Sequence, residues 1–94
     1  MSDTIQRRAV VVSNSQGLHA RPADLFARTA GKFESKVEII NGSQRVDGKS
    51  ILDVLTLAAV QGTELEIEAV GPDAGEALEA LVKLVESDFA EDNT

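Results

Sequence analysis

The sequence predicts a single small α+β domain in which helices cover one face of an antiparallel sheet. Three observations support this. Residues 63–70 show the clearest polar/apolar alternation in the chain, Asn41-Gly42 separates two strand-like runs, and apolar residues recur at helical spacing elsewhere. Alternation with a period of two is typical of a half-buried strand. The expected element order is βαββαβα, which fits both a ferredoxin-like plait and an open-faced sandwich.

The first half of the chain provides a strand, a loop and a helix. Residues 5–13 are rich in β-branched side chains and predict a strand, followed by a polar loop over residues 13–17. Residues 20–31 change to helical spacing, and Gly31 is suited to end that helix. The predicted buried face of this helix consists of Ala23, Phe26, Ala27 and Ala30.

The second half contains a hairpin and two further helices around the alternating strand. The hairpin strands are expected at residues 36–40 and 43–47. A helix is predicted from Ile51 to Val60, closed by Gln61-Gly62, and the last helix begins near Asp73. Asp73 is predicted to cap that helix together with Glu76. Its inward side chains are predicted to be Leu78, Leu81, Val82 and Val85.

Composition narrows the class of protein. The 94 residues are enough for one domain, with an ordered core at about residues 5–88 and an acidic tail at 89–94. With no cysteine and one histidine, neither a metal site nor a cofactor is expected. The net charge of −7 disfavours nucleic-acid binding. A secretory signal and a membrane-spanning run are not recognisable, so we expect a soluble, cytoplasmic monomer without membrane insertion.

The only histidine lies where the first strand gives way to the first helix. Pro22 suits the first turn of a helix, which places His19 at or just before the helix start. Backbone N–H groups there lack partners within the helix, and the helix dipole is positive, so the position attracts anions. Arg21 adds a permanent cation. This combination makes chemical sense if the imidazole carries a phosphoryl group.

Two motifs in register identify a family resemblance. The segment Gly17-Leu18-His19-Ala20-Arg21-Pro22-Ala23 resembles the active-site signature of HPr, the histidine phosphocarrier of the bacterial phosphoenolpyruvate-dependent phosphotransferase system. The segment Gly48-Lys49-Ser50-Ile51-Leu52-Asp53-Val54-Leu55 resembles the serine-site segment of that family, and Gln61-Gly62-Thr63 follows at a similar distance. The resemblance covers about residues 5–86. It implies the HPr-like open-faced sandwich, with four antiparallel strands and three helices on one side.

The resemblance also implies a function. His19 would accept a phosphoryl group on Nδ1 from enzyme I and pass it to an enzyme IIA-type protein, while Arg21 stabilises the phosphate. The chain would then be a carrier rather than a turnover enzyme. The resemblance further implies that partners dock on a surface formed by Ile51, Leu52, Leu55 and Arg28, which we call the docking surface.

Periodicity alone leaves the second helix ambiguous. Val54, Leu57 and Ala58 fall on one stripe. A second stripe contains Ile51, Leu52, Leu55 and Ala59. The second stripe is either buried in the small core or exposed for docking. Resemblance to the family favours docking.

Ser50 has two possible roles. Its spacing from Asp53 resembles a capping box, which is a sufficient structural role. In relatives that are substrates of HPr kinase/phosphorylase, the serine of this segment is a regulatory phosphorylation site, so that kinase is a candidate partner.

Two acidic residues leave the branch of the phosphotransferase system open, and one rival interpretation assigns a different class of function. Asp24 and Asp53 are acidic where many relatives carry neutral or basic residues, so we expect altered partner choice. A carrier of a nitrogen-type or regulatory branch is therefore an alternative to sugar transport. A non-catalytic, ferredoxin-like interaction domain is a rival from another class, in which His19 would only cap the helix.

Overall fold

The computed structural model describes residues 4–90 as a four-stranded sheet with three helices. The elements in chain order are β1 (Thr4–Val11), α1 (Ala20–Ala30), β2 (Lys36–Asn41), β3 (Gln44–Asp47), α2 (Ile51–Thr56), β4 (Glu64–Gly71) and α3 (Ala74–Glu86). The predicted order βαββαβα is therefore confirmed. Strand and helix limits differ from the sequence prediction by one or two residues, except in α2.

The sheet is antiparallel throughout, with the order β1-β4-β2-β3. The central strands β4 and β2 are paired so that Ile39 lies opposite Ile67, and β1 joins β4 with Val10 opposite Leu65. The hairpin between β2 and β3 turns at Gly42, where φ is +62°. A positive φ is the conformation that the Asn-Gly signal predicts.

A main core and a smaller cluster around Ala69 hold the helices against a single face of the sheet. The alternation of residues 63–70 predicts one buried face for β4, and Leu65, Ile67 and Ala69 on this face are all buried. Phe26 of α1 and Leu81 of α3 are also almost completely buried. The four residues predicted for the inner side of α3 are all buried, namely Leu78, Leu81, Val82 and Val85. The opposite face of the sheet carries charged side chains, so the domain is an open-faced sandwich.

The second helix is shorter than the prediction. It ends at Thr56 instead of Val60, and Ala58 has a left-handed backbone with φ of +50°. Val54 and Leu57 of the first stripe are buried, but Ala58 is exposed, and Ala59 of the second stripe is buried in its place. The main-chain oxygen of Ala59 accepts a hydrogen bond from Leu18 at 2.9 Å. This contact with the loop before α1 takes the place of another helical turn.

The predicted cap of α3 also differs. Asp73 occupies the N-cap position, but its carboxylate makes no bond to the backbone of α3. It instead accepts hydrogen bonds from the backbone N–H groups of Glu34 and Ser35, both at 2.9 Å, and from the Ser35 hydroxyl at 2.5 Å. Ser35 is buried, and its backbone and hydroxyl donors need an acceptor. The aspartate therefore links the start of α3 to the turn before β2.

The core extends further along the chain than the sequence suggests. Phe89, which the sequence assigns to the tail, is buried, and its N–H donates to the Leu84 oxygen at 2.9 Å. Residues 91–94 of the predicted tail lie outside the described residues. Within residues 4–90, none of the helices has the length and apolar character required to cross a bilayer.

Candidate functional site

His19 lies at the N-terminus of α1, as predicted. It is the N-cap residue, with extended backbone angles, and its side chain is exposed. Its imidazole makes no hydrogen bond to the first turn of α1. The first helical position, occupied by Ala20, has no acceptor for its N–H within a helix, and Pro22 at the third position has no N–H at all. The ring therefore stands in solvent beside a positive helix end.

The loop before His19 is held tightly to the segment after α2. Gly17 has φ of +70°, and a Cβ added to it would lie 2.3 Å from the Ala59 oxygen. Glycine is therefore required at this position for both conformation and space. The following residue, Leu18, is buried and donates its N–H to the same Ala59 oxygen at 2.9 Å. These contacts fix the chain immediately before the histidine.

Arg21, the predicted phosphate-stabilising residue, lies in the first turn of α1 with its side chain exposed. A cation at a helix N-terminus opposes the helix dipole, which favours negative charge there. An anion bound beside His19 would offset this repulsion between Arg21 and the helix dipole, because both the helix end and the guanidinium would attract it.

The docking surface is largely exposed. Leu52 is 74% exposed and Ile51 is 39% exposed, whereas Leu55 is half-buried against the core. Two of the three apolar residues of the docking surface, Ile51 and Leu52, are therefore accessible. Exposed apolar side chains that lie side by side on one helix are a common feature of contact sites.

The fourth residue predicted for this surface, Arg28, forms an ion pair within α1. Its guanidinium donates to the Asp24 carboxylate at 3.2 Å, four residues earlier, as the spacing predicts. Because the pair is exposed, it stabilises the helix by only about 0.3–0.5 kcal/mol. Arg28 is therefore accessible to a partner at a small energetic cost.

Ser50 caps α2. Its side-chain oxygen accepts the Asp53 N–H at 3.2 Å, and the residue is partly buried. In a complete capping box, the Asp53 carboxylate would accept the Ser50 N–H. Here that carboxylate accepts the Asp47 N–H at 3.3 Å. The Ser50 N–H donates instead to the Asp47 oxygen at 3.2 Å. The structural role predicted for Ser50 is therefore present.

The open face of the sheet carries an ion-pair network that the sequence pattern did not predict. Arg7 binds Glu66 and Glu68, and Arg45 binds Glu68 and Glu38 at 2.6 Å each. Hydrogen bonds donated by Arg45 and then by Arg7 lower the pKa of Glu68, and the bonds that Arg45 donates to Glu38 and then to Glu68 raise the pKa of Arg45. The network therefore links side chains of all four strands.

Asn14 is a further residue near the site, in the loop before His19, and no sequence motif singled it out. Its side-chain Nδ2 donates to the Gly17 oxygen at 2.8 Å, and the Gly17 N–H returns a bond to the Asn14 main-chain oxygen at 3.1 Å. The sequence places it in a polar loop, which signals a turn but does not show which carbonyl its amide will bind. Among residues 4–90, no cluster of three or more metal-binding side chains is present.

Comparison with known proteins agrees with this geometry. A family model described as the PTS HPr component phosphorylation site matches residues 6–87. The chain is 40% identical over 85 residues to the phosphocarrier protein HPr of Neisseria meningitidis serogroup A, covering 90% of this chain and 96% of that protein. It is 41% identical over 85 residues to the HPr of Treponema pallidum, covering 90% and 97% respectively.

Solved structures show the same fold. HPr-C-His from Thermoanaerobacter tengcongensis matches with a TM-score of 0.88 and 40% identity, covering 90% of this chain and 96% of that chain. HPr from Bacillus anthracis matches with a TM-score of 0.83 and 39% identity, covering 87% and 98%. This chain therefore belongs to the HPr family of the phosphotransferase system, whose members are phosphocarrier proteins and not turnover enzymes.

Proposed function

We propose that this chain carries a phosphoryl group on His19, which it accepts from enzyme I and delivers to an enzyme IIA-type protein in the cytoplasm. The observation that carries the proposal is the position of His19, exposed at the N-terminus of α1 with no cap bond to that helix. A histidine that served only as a cap would direct its ring to the backbone.

The transfer step is a displacement at phosphorus. The neutral imidazole of His19 attacks through the Nδ1 lone pair, as the family implies, while the bond between phosphorus and the donor's histidine nitrogen breaks. The donor nitrogen keeps the electron pair. Such transfers depend on in-line positioning and on compensation of the charge on the phosphoryl oxygens. The positive end of α1 and the Arg21 guanidinium supply that compensation.

The contribution of the protein must be moderate. A carrier that bound its phosphoryl group too tightly would fail to release it to the next protein. The exposed position of His19 supports reversible transfer, because the group remains partly in water and within reach of a docked acceptor.

Labelling with phosphoenolpyruvate and enzyme I tests the proposal. We expect one acid-labile phosphate on the wild-type chain and none on His19→Ala. Uptake of the same label by His19→Ala would show that the assignment is wrong. The rival role, a non-catalytic interaction domain, predicts no label on the wild type.

The role of Arg21 is tested separately. Arg21→Ala should keep the fold and slow transfer, because one of the compensating charges is lost. Arg21→Lys keeps the charge but not the planar fork, and we expect an intermediate rate. A transfer rate equal to wild type in Arg21→Ala would remove Arg21 from the mechanism.

We propose that both protein partners contact the docking surface. The exposure of Ile51 and Leu52 next to the N-terminus of α2 supports this, because a docked partner would bury apolar groups that are otherwise in water. Arg28 and the half-buried Leu55 complete the surface. Leu52→Glu should weaken transfer from enzyme I without unfolding the domain.

Ser50 is the proposed regulatory position. A phosphate on its oxygen would add about two negative charges beside Ile51 and Leu52, next to the acidic Asp53 already in the first turn. We expect docking to weaken while the fold remains. Incubation with HPr kinase/phosphorylase and mapping of an acid-stable phosphate tests this, and an unmodified Ser50 would contradict it.

The branch of the system follows from the acceptor. Asp53 places a negative charge beside the docking surface, where many relatives carry a neutral or basic residue. Because charge complementarity influences which partner binds, this supports a partner different from that of those relatives. We propose a regulatory, nitrogen-type branch as the alternative to sugar transport. Measured transfer from the phosphorylated chain to enzyme IIA proteins of the two branches distinguishes them.

A further inference from the structure

We propose that Asn14 is a positioning residue for His19, and this inference depends on the proposed phosphorylation of His19. Asn14 makes no contact with the reacting atoms in this role. It acts through the peptide group that joins Gly17 to Leu18, immediately before the histidine.

Both polar ends of that peptide group are bound. Its carbonyl, the Gly17 oxygen, accepts from Asn14 Nδ2 at 2.8 Å. Its N–H, from Leu18, donates to the Ala59 oxygen at 2.9 Å. A peptide group is planar, so bonds at both ends fix its rotation about the chain. The direction in which the backbone enters His19 follows from that rotation.

The orientation of the Asn14 amide is determined by this contact. A carbonyl oxygen can only accept, so the NH₂ end of the side chain must face Gly17. The other end, Oδ1, is buried and has no hydrogen-bond partner among the residues that the structure describes. Burial of an unpaired acceptor is unfavourable. An apolar side chain would fill the same space without that cost, which points to the bond made by Nδ2 as the reason for an amide here.

The surroundings make the Gly17–Leu18 peptide a sensitive position. Leu18 is buried, and the space beside Gly17 is closed by Ala59. Without the Asn14 bond, the backbone bond from Gly17 N–H to the Asn14 oxygen still closes the turn, so the loop should remain folded. What is lost is the restraint on the Gly17 carbonyl, and the His19 ring would then sample more orientations. Transfer requires a narrow range of orientations.

The test is single-turnover transfer from phosphorylated enzyme I to the full chain. We expect the maximal rate constant of Asn14→Ala to fall about tenfold, the size of effect that modest misplacement can produce. The concentration giving half the maximal rate should change by less than about twofold, because the docking surface is untouched. Asn14→Asp keeps the shape but replaces the donor by an acceptor, and should be slowed at least as much.

Gln61→Ala is the matched control. Gln61 also uses a side-chain amide to bind a carbonyl of the same loop, donating to the Ser13 oxygen at 3.1 Å, but it does not touch the Gly17–Leu18 peptide. Its transfer rate should equal that of wild type. Amide hydrogen exchange provides a second measurement: in Asn14→Ala, exchange should quicken at Leu18 but not at Ile39 in the sheet.

The two proposals fail in different ways. If wild type is labelled on His19 and Asn14→Ala transfers at the wild-type rate, the positioning role is wrong and the carrier role stands. If Gln61→Ala is slowed as much as Asn14→Ala, the effect belongs to the loop as a whole, and the specific role of Asn14 is wrong. If the wild-type chain takes no label, both proposals are wrong.

Discussion

The first two helices begin in opposite ways. At the start of α2, Ser50 accepts a first-turn N–H, and Asp53 supplies a negative charge within that turn. At the start of α1, His19 makes no cap bond, and the first turn has no acidic side chain but contains Arg21. At α2, side chains of the helix start accept an N–H and oppose the helix dipole. At α1, Arg21 adds to the positive charge of the helix end.

Under the proposed function, this difference separates a structural helix end from one that receives a phosphoryl group. Capping and first-turn acids stabilise a helix by occupying its N–H groups and opposing its dipole. The same groups would compete with an incoming phosphoryl group. The domain therefore forgoes local stability at α1, and we expect that exchanging features between the two ends will alter stability and transfer in opposite directions.

The largest effect is expected from His19→Ser, which gives α1 the same cap residue as α2. Transfer from enzyme I should be lost completely, because the imidazole is absent. Stability should rise by about 0.5 kcal/mol, the low end for a new cap, since Pro22 leaves no N–H at the third position. Labelling and urea unfolding measure the two effects, with His19→Ala as the control that adds no cap. A serine variant no more stable than His19→Ala would contradict the comparison.

The third helix start provides the next test, Asp73→Ala. Because Asp73 binds Glu34 and the buried Ser35 instead of α3, its loss should lower the melting temperature at neutral pH more than loss of a simple cap. Glu76→Ala removes an exposed carboxylate from the same first turn and serves as the control. Equal melting temperatures for the two variants would show that the Asp73 link contributes little.

The same variant should change the pH dependence. Hydrogen bonds from the Ser35 hydroxyl and then from the Glu34 N–H lower the pKa of Asp73 below its ordinary value of 3.8. Its contribution is therefore complete above that value and is lost as the pH falls through the lower folded pKa. The wild type should lose stability in this acid range, and Asp73→Ala should lose less of it. Thermal unfolding at about pH 6 and about pH 3 measures the difference.

The smallest effect is expected from Ser50→Ala, which makes the α2 start resemble that of α1. Removing the bond to Asp53 N–H should cost about 1 kcal/mol of unfolding free energy. His19 is untouched, so we expect transfer from enzyme I to continue. Ser50→Thr retains the cap oxygen and should remain within about 0.5 kcal/mol of wild type. A Ser50→Ala variant as stable as wild type would show that the observed bond is not stabilising.

Several features of the site were predictable because they depend on neighbouring residues. The change from strand-like to helical spacing near His19, with Pro22 in the first turn, predicted a helix start at this position, and the structure has one. The spacing of Ser50 and Asp53 likewise predicted the cap bond that is observed. Such patterns reflect contacts within one turn or across one hairpin, which a local stretch of sequence specifies.

Other features depended on residues far apart in the chain. The predicted end of α2 was wrong by four residues. The chain leaves the helix so that the Ala59 oxygen can accept a hydrogen bond from Leu18, which lies about forty residues earlier. The predicted capping role of Asp73 was wrong for a similar reason, since its partners Glu34 and Ser35 lie 39 and 38 residues away. Helix patterns alone could not identify these hydrogen-bond partners.

By itself, therefore, the sequence determined the order of the elements, the inward faces of α1, β4 and α3, and the position of His19 at the residue before α1. Only the tertiary structure decided which buried donors and acceptors meet, including the bonds at Asn14, Gly17 and Ala59 that hold the histidine loop. The physical reason is that periodicity records which side chains avoid water. A polar group finds its partner only when packing brings distant segments together.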